Sequence, residues 1–588
     1  MKVSDYIVQF LHGKKVDFVF GYSGGAITHL TDSISHSKYL SFIQTYHEQT
    51  AAIAAEGYSW LSDTLGVALA TSGPGATNLL TGIADAYFDS IPALYITGQV
   101  NTYEYKGEKP IRQQGFQETN IVSIVKSITK YATMVSDPLR IRYELEKAWA
   151  FATSGRCGPV LLDIPMDVQR TDINPSILIG YENNPIVKTS LSYIDGFSRQ
   201  KLISLIETSK RPLLLLGNGV ARAGANAVVR NLARQFGIPV VTSLLGKGCF
   251  PDDDKANLGM IGSYGNRCAN IAIANADLLI AIGTRLDTRQ TGTNLESFVR
   301  GGKIVRLDID LAEIENHRLK GVLSVVGDAK DFIEELSSIS WGSVRKPWLA
   351  YLERIKQQYG QDAEVARFVD NKRPYLVMDI LNRFAVPDQI FTVDIGQNQM
   401  FAAQKLQIRE GQKWKTSGGL APMGFALPAA IGAAFATDSK NSIFAIVGDG
   451  GLHMSSQSLL TIAQHNLPIK IILLNNKSLG MITQFQDLYF DRIREGTTRD
   501  SGYLVPNFQQ LASSCGLEYS HVSSNGFEDE HELAQIFKSF SPMLIEFDIG
   551  ENTVVSPKLE VNMPIEDLNP KLPREELASL MLIEAYEP

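Results

Sequence analysis

Two apolar, β-branched runs, Ile443–Val447 and Ile469–Leu474, end in Gly448-Asp449-Gly450-Gly451 and Asn475-Asn476. The segment between them, Ser455 to Asn466, has helix-forming composition, so the whole reads as one βαβ unit with parallel strands. In open α/β sheets, ligands sit at the carboxyl ends of such strands. Here those ends carry a carboxylate (Asp449), an amide oxygen (Asn476) and, close by, the backbone carbonyl of Ser478. Hard oxygen ligands of this kind suit a divalent cation that bridges two phosphates. Gly450 and Gly451 let backbone N–H groups approach those phosphates closely. Either turn alone is unremarkable; the two together, with 24 residues between Gly450 and Asn475, point to a cation and diphosphate clasp.

A chain of 588 residues exceeds one hydrophobic core, and two to four domains are expected. With 44% apolar and 20% charged residues it has an ordinary globular composition, and a formal charge of −8 argues against nucleic acid as a partner. The four cysteines show no CxxC spacing, so neither a disulfide framework nor a zinc site is expected. The chain has neither a signal-peptide apolar core nor an uninterrupted apolar stretch of about 18 residues, so a cytoplasmic protein without a membrane partner is the expectation.

Strands alternate with helices in three stretches, which predicts an α/β protein with three doubly wound parallel-sheet domains. The first covers residues 1–170, with strands at Val16–Phe20, Gly66–Ala70, Ala93–Ile96 and Val160–Ile164. A linker containing Pro175 and Pro185 leads to a central domain at 190–340, with strands at Pro212–Leu216, Leu278–Ile282 and Lys303–Leu307. A charged helical connection from Trp341 to Arg373 precedes the third domain, 374–550, and its clasp. The tail, 551–588, is rich in proline and acidic residues and is expected to lie over the surface.

The clasp matches the motif of thiamine diphosphate enzymes. Phe20–Ala26, His47-Glu48-Gln49, Ala70–Asn78, Ile96–Val100, Gly115–Glu118, Ser127–Lys130, Gly396–Met400 and Met423–Pro428 extend the likeness. In that order, over about residues 1 to 550, the chain resembles the large, catalytic subunit of the acetolactate (acetohydroxyacid) synthase family.

What the resemblance implies can be placed residue by residue. Glu48 lies between a strand-like run, Ser41–Gln44, and a helix-like run, Thr50–Trp60, where the family carries the glutamate that hydrogen-bonds the cofactor's pyrimidine. Glu56 is taken as structural support. Met423 matches the methionine that props the cofactor into its bent shape. Gly396, Gln397 and Asn398 match a diphosphate-binding loop, with Asn398 standing where the family usually has histidine. Asp449, Asn476 and Ser478 would hold Mg2+, and Phe116 and Gln117 would line the substrate side. The implied reaction is decarboxylation of pyruvate, a 2-oxoacid, followed by transfer of the two-carbon unit to a second ketone.

Leu216–Gly224, containing Gly217 and Gly219, is a weak dinucleotide motif, because no acidic residue follows about twenty positions on. The resemblance adds that Arg289 and Asp308 would contact FAD, with Gly262 to Gly265 along it, and that the flavin has no redox role in the main reaction. It also implies a homodimer or homotetramer with active sites between chains, and is compatible with a regulatory subunit. The departures cluster near the acceptor. Phe485 replaces the usual tryptophan, Met166 replaces a lysine, and the tail is similar to that of relatives acting in modified-sugar synthesis. Two acceptors therefore stay open, a second pyruvate and a keto sugar. A catalytically silent homologue is disfavoured by the presence of Glu48, Asp449 and Asn476.

Overall fold

The computed structural model describes residues 1–182, 196–342, 345–437, 442–584 and 586. It contains three six-stranded, all-parallel sheets with helices packed around them. The first comprises β1 (Phe18–Gly21), β2 (Ser41–Gln44), β3 (Gly66–Ala70), β4 (Ala93–Gln99), β5 (Tyr131–Met134) and β6 (Val160–Pro165), in spatial order 2-1-3-4-6-5. The second holds β7 (Pro212–Leu216), β8 (Val240–Thr242), β9 (Asn257–Met260), β10 (Leu278–Ile282), β11 (Lys303–Asp308) and β12 (Leu323–Val326), in order 12-11-10-7-8-9. The third holds β13 (Ile390–Val393), β14 (Lys413–Thr416), β15 (Ile443–Gly448), β16 (Ile469–Asn475), β17 (Glu518–Val522) and β18 (Met543–Asp548), in order 14-13-15-16-18-17. The three-stretch α/β reading therefore holds, and the expected strands are present to within a few residues at their ends. The part of the linker that carries Pro185 and the start of the central stretch near Leu191 lie outside the described residues.

The first and third sheets share one topology: counted within each sheet, both strand orders read 2-1-3-4-6-5. Sequence inspection finds no repeat, because the two halves keep the fold without keeping residue identities. Their equivalent helices, Glu48–Leu61 and Ala426–Ala436, pack against each other and join both sheets into one apolar cluster, from Phe20, Ala68 and Tyr95 to Ile443, Ala445 and Ile471. Both helices are apolar nearly all round, as befits helices enclosed on every side. Their backbones approach closely because two glycines face them. A Cβ on Gly57 would stand 2.2 Å from the Ala429 carbonyl oxygen, and one on Gly432 would stand 1.9 Å from that of Ala54.

The tail departs from the expectation that it lies over the surface. Val555 packs in the core of the third sheet, and Ile565, Leu572, Leu577 and Leu580 pack in the core of the second. The buried ion pair of Arg267 with Glu364 ties it down, since Arg267 also donates to the carbonyls of Leu568 (3.1 Å) and Pro570 (2.8 Å). Ser556 donates to Glu364 at 2.8 Å. Proline and acidic content suggested a solvated strap, whereas the spaced aliphatic residues decide where it lies.

Several carboxyl groups sit in the interior, Asp163, Glu56 and Asp85 among them. Asp163, on β6, accepts from Thr97 (2.8 Å) and Gln99 (2.9 Å), and burial pushes it up to about 7. Glu56 and Asp85 lie together between the first and third sheets, and burial followed by the neighbouring carboxyls holds both well above the usual range. Both Glu56 oxygens lack a hydrogen-bond partner among the described residues, and Asp85 accepts from the Ser417 hydroxyl.

Two outcomes follow. Gly432→Ala should destabilise the protein by about 1–3 kcal/mol through overpacking, read as a lower denaturation midpoint with unchanged secondary structure. The raised carboxyls bind protons more tightly in the folded chain than in the unfolded one. Their stabilisation is complete below the ordinary carboxylate range and is lost as pH rises, towards about 7 for Asp163 and about 8 for Asp85. The thermal midpoint should therefore gain from Glu56→Gln near neutrality and much less in acid; an equal shift at both would show that Glu56 keeps no raised affinity for its proton.

Candidate active site

The third sheet reverses its winding between β13 and β15, and the clasp lies at the carboxyl ends of those two strands and of β16. Gly396 follows β13 with φ 128°, a conformation that favours glycine, and turns the chain into the helix Gln397–Lys405. Asp449 follows β15 as the first residue of the short helix Asp449–Met454. Asp449 is 1% exposed, and its Oδ1 accepts from the Gly450 N–H (2.7 Å) and the Tyr503 hydroxyl (2.8 Å). Burial raises its pKa, while Tyr503 and the surrounding N–H groups oppose the rise.

Three oxygens meet at the end of β16. With the Asn476 amide nitrogen donating to Thr553 Oγ1 (3.0 Å), its oxygen stands 2.8 Å from the Ser478 carbonyl oxygen and 3.2 Å from Asp449 Oδ2. No proton lies among these atoms, so they repel unless a cation sits between them. Turning the amide over would let its nitrogen donate to both oxygens, leaving its own oxygen to accept from Thr553. The Thr553 proton, however, points to Gln397 Oε1 at 2.6 Å. Gln397 in turn donates to Gln484 (3.0 Å) and to the Thr553 carbonyl (3.0 Å), and Gln484 exchanges two bonds with the Val555 backbone. With the amide oxygen facing Asp449, the Thr553–Gln397–Gln484 chain keeps its bonds and the three oxygens are answered only by a cation; turned over, the amide is satisfied by the protein alone. One carboxylate, one amide and one carbonyl are the hard donors that suit Mg2+.

Met423, Gln397 and Asn398 lie close to this point. A Cβ on Gly450 would stand 2.9 Å from Met423 Cε, so the methionine lies directly over the clasp glycines. Buried Asp394 fixes the Met423 loop by accepting from the N–H groups of Gly424 (2.9 Å) and Ala426 (3.0 Å). A Cβ on Gly451 would stand 2.6 Å from Asp394 Oδ1, and one on Gly480 would stand 2.2 Å from Gln397 Oε1. The Gln397 side chain is held within the network. Asn398 donates an amide N–H to the Asp394 carbonyl at 2.8 Å, so backbone N–H groups of the first helical turn are what this loop offers a phosphate.

Glu48 belongs to a different neighbourhood. It opens its helix after the His47 cap, is 6% exposed, accepts from Asn78 Nδ2 at 2.9 Å, and has Oε1 against Gly75. Gln117, at φ 62°, packs on Gly73, whereas the Phe116 ring is 85% exposed. Phe485, on the helix Gly480–Tyr489, contacts the Tyr489 and Phe490 rings and is partly exposed.

A cavity of about 420 Å3 opens beside the second sheet. Gly219, Arg289 and Asp308 line it, together with Tyr264, Arg285 and Asp328. Gly217 lies behind it: a Cβ there would stand 2.2 Å from the Gly283 carbonyl oxygen. Gly262, at φ 112°, is crowded by the Arg289 carbonyl. Burial raises the Asp308 carboxyl. Asp328, which begins a helix beyond β12, is an acidic group that the spacing rule could not find, because it comes from a different strand.

Tyr503, Thr553, Gln484 and Asp394 escaped the sequence reading. Asp394 carried a usable signal, an acid at the end of an apolar run just before Gly396; the others depend on where distant segments land.

Family models of thiamine pyrophosphate enzymes match three segments: the N-terminal TPP binding domain at 1–124, the central domain at 199–336 and the C-terminal TPP binding domain at 394–547. The acetolactate synthase large subunit of Corynebacterium glutamicum is 37% identical over 580 residues, covering 96% of this chain and 89% of that one. The probable acetolactate synthase large subunit of Methanocaldococcus jannaschii is 37% identical over 565 residues, covering 93% and 92%. Acetolactate synthase 1, chloroplastic, of Nicotiana tabacum is 36% identical over 536 residues, covering 89% and 78%. With this likeness running through all three sheets and the clasp of the third, the chain belongs to the acetolactate synthase large-subunit family of thiamine pyrophosphate enzymes.

Proposed function

We propose that the protein decarboxylates pyruvate and joins the two-carbon unit to a second ketone, using thiamine diphosphate and Mg2+. The observation that carries this reading is the meeting of the Asp449, Asn476 and Ser478 oxygens at the switch point of the third sheet. These residues would hold Mg2+ on the diphosphate, and N–H groups of Gln397, Gly450 and Gly451 would face its oxygens. When bound, thiamine diphosphate supplies a nucleophilic carbon and an electron sink for the departing CO2. Met423 fills the space over Gly450, where it would support the bound cofactor. Glu48 would hold a proton towards the cofactor's pyrimidine ring, with Asn78 keeping its carboxyl in place. Phe116, Gln117 and Phe485 would line the substrate side and exclude water from it.

Glu48 and the clasp stand in separate neighbourhoods, and Phe116 projects from this chain at 85% exposure. Both features fit a homodimer in which one copy lends Glu48 and Phe116 to the clasp of the other. Free cysteines at all four positions fit a reducing compartment such as the cytoplasm. The cavity beside the second sheet is of a size and lining that fit FAD, with Arg289 towards phosphate and Asp308 or Asp328 towards ribose hydroxyls. A second reading of the acceptor, a keto sugar, is favoured by the partly open surface at Phe485.

Incubation with pyruvate separates the two acceptors: steady acetolactate supports a second pyruvate, and slow CO2 release accelerated by a keto sugar supports the other. Glu48→Gln should lower turnover by at least about a hundredfold, the scale of lost proton-transfer catalysis, with thiamine diphosphate still bound; unchanged turnover would remove Glu48 from the mechanism. Purified protein should show yellow flavin absorbance that is lost in a variant carrying Gly219→Trp. Colourless, flavin-free and fully active protein would remove FAD.

A further inference from the structure

Lys558 is a buried cation that faces aromatic rings rather than a bonded anion; the charge of nearby Glu560 reaches it without forming an ion pair. It lies on the short strand Lys558–Leu559, paired antiparallel with Leu568–Asn569, and is 7% exposed. Its ammonium stands over two aromatic rings, 5.3 Å from the Phe485 centroid and 5.0 Å from that of Tyr489. Among the described residues it has neither a hydrogen-bond acceptor nor a carboxylate partner. The nearby acids are engaged elsewhere: Glu560 pairs with Lys571 at 3.2 Å and Asp487 with Arg494 at 2.7 Å. A buried ammonium in this position is costly unless an anion completes it. Burial accordingly lowers its affinity for its proton.

Lys558 lines a cavity of about 260 Å3 between the helix Gly480–Tyr489 and the tail. Arg492, which has no hydrogen bond or ion pair among the described residues, lines it as well, as do the neutral side chains of Gln484, Asn552 and Thr553. Exposed Glu551 and the Asp487–Arg494 pair stand at the same wall, and Arg492 also acts on Asp487, so the lining carries three cations against two carboxylates. The cavity adjoins the clasp, because Gln484 and Thr553 both bond to Gln397, and Thr553 also accepts from Asn476. The rings beneath the ammonium include Phe485, the residue assigned above to the acceptor side.

We propose that Lys558, assisted by Arg492, seats an anionic group of the acceptor substrate, a carboxylate or a phosphate, and so determines which ketones the enzyme accepts. The inference rests on the carboligase reading above. The two rings beneath it keep the ammonium in place and dry, so that an incoming anion meets a fixed, weakly hydrated charge. An uncharged ketone gains nothing from this seat, and the difference between charged and uncharged acceptors is the measurable quantity.

The test compares wild type, Lys558→Met and Lys558→Arg, each loaded with thiamine diphosphate and Mg2+ and supplied with pyruvate as donor. The acceptors are 2-oxobutyrate for a carboxylate, dihydroxyacetone phosphate for a phosphate, and acetaldehyde as the uncharged control. The ratio of kcat/KM for the anionic acceptor to that for acetaldehyde should fall by about tenfold or more in Lys558→Met and recover in Lys558→Arg, the scale of one lost charge-assisted hydrogen bond. Whichever anionic acceptor shows the fall identifies the source of the anion. A ratio unchanged in Lys558→Met for both anionic acceptors overturns the proposal. Wild-type protein that releases no CO2 from pyruvate removes the carboligase reading instead. The seat is then judged by binding: inorganic phosphate or propionate should raise the thermal midpoint of the loaded wild type and not that of Lys558→Met. An equal response of the two proteins overturns the seat.

Discussion

The close crossing of the helices Glu48–Leu61 and Ala426–Ala436 governs the rest of the molecule. Two glycines, Gly57 and Gly432, let the helix backbones come near enough for a carbonyl of each to occupy the space a Cβ would need. One apolar cluster then runs without a break from the first sheet to the third. The relative position of the two sheets is set by backbone contact rather than by adjustable side chains, which is the stiffest way to define an angle between layers. Two residues proposed for the site sit at the N-terminal sides of the same helices: Glu48 opens one and the Met423 loop leads into the other. Their places are therefore consequences of the crossing. The buried carboxyls Glu56 and Asp85 lie along this junction, so a proton-dependent element is built into the most rigid part of the structure.

The clasp depends on a second constraint, the polarity of a hydrogen-bond chain. Thr553 has one proton, directed to Gln397, and therefore accepts from Asn476. That leaves the Asn476 oxygen facing Asp449 and Ser478, the arrangement a cation needs. The tail supplies Thr553 and the backbone of Val555, and its aliphatic residues anchor it in the cores of the second and third sheets. A segment remote in sequence thus orients Asn476, one of the residues proposed to hold Mg2+, in the manner of the outer shells that tune metal sites. The same tail carries Lys558 to the Phe485 ring, so the proposed clasp and the proposed anion seat share one structural support.

Much of this was legible in the residues. Ile443–Val447 and Ile469–Leu474 announced parallel strands through their apolar, β-branched composition, and the turns following them named the ligands. Glu48 and Met423 stood in recognisable local motifs. Tyr503, Thr553 and Gln484 were not legible, because a hydroxyl or amide becomes a positioning group only through the donor or acceptor it meets. The tail was misjudged for a related reason: proline and acidic residues indicate irregular backbone, not exposure, and its leucines find their core only after the second sheet has formed. The shared topology of the first and third sheets was also hidden, since a parallel sheet requires apolar strands and turn glycines but not the same residues.

The sequence by itself determined the chemistry available. It set the strand and helix periodicities, the hard oxygen donors at two strand ends and the glycines that admit phosphate, all of which follow from local spacing and residue type. Only the tertiary structure decided how those groups face one another. It brought the Asn476 amide against Asp449 and Ser478, set Glu48 beside Asn78 and Gly75, drew the tail into two cores and laid Lys558 over two aromatic rings. The physical reason is that hydrogen-bond polarity, burial and close helix approach are properties of pairs of surfaces, and such pairs exist only once the chain has closed on itself.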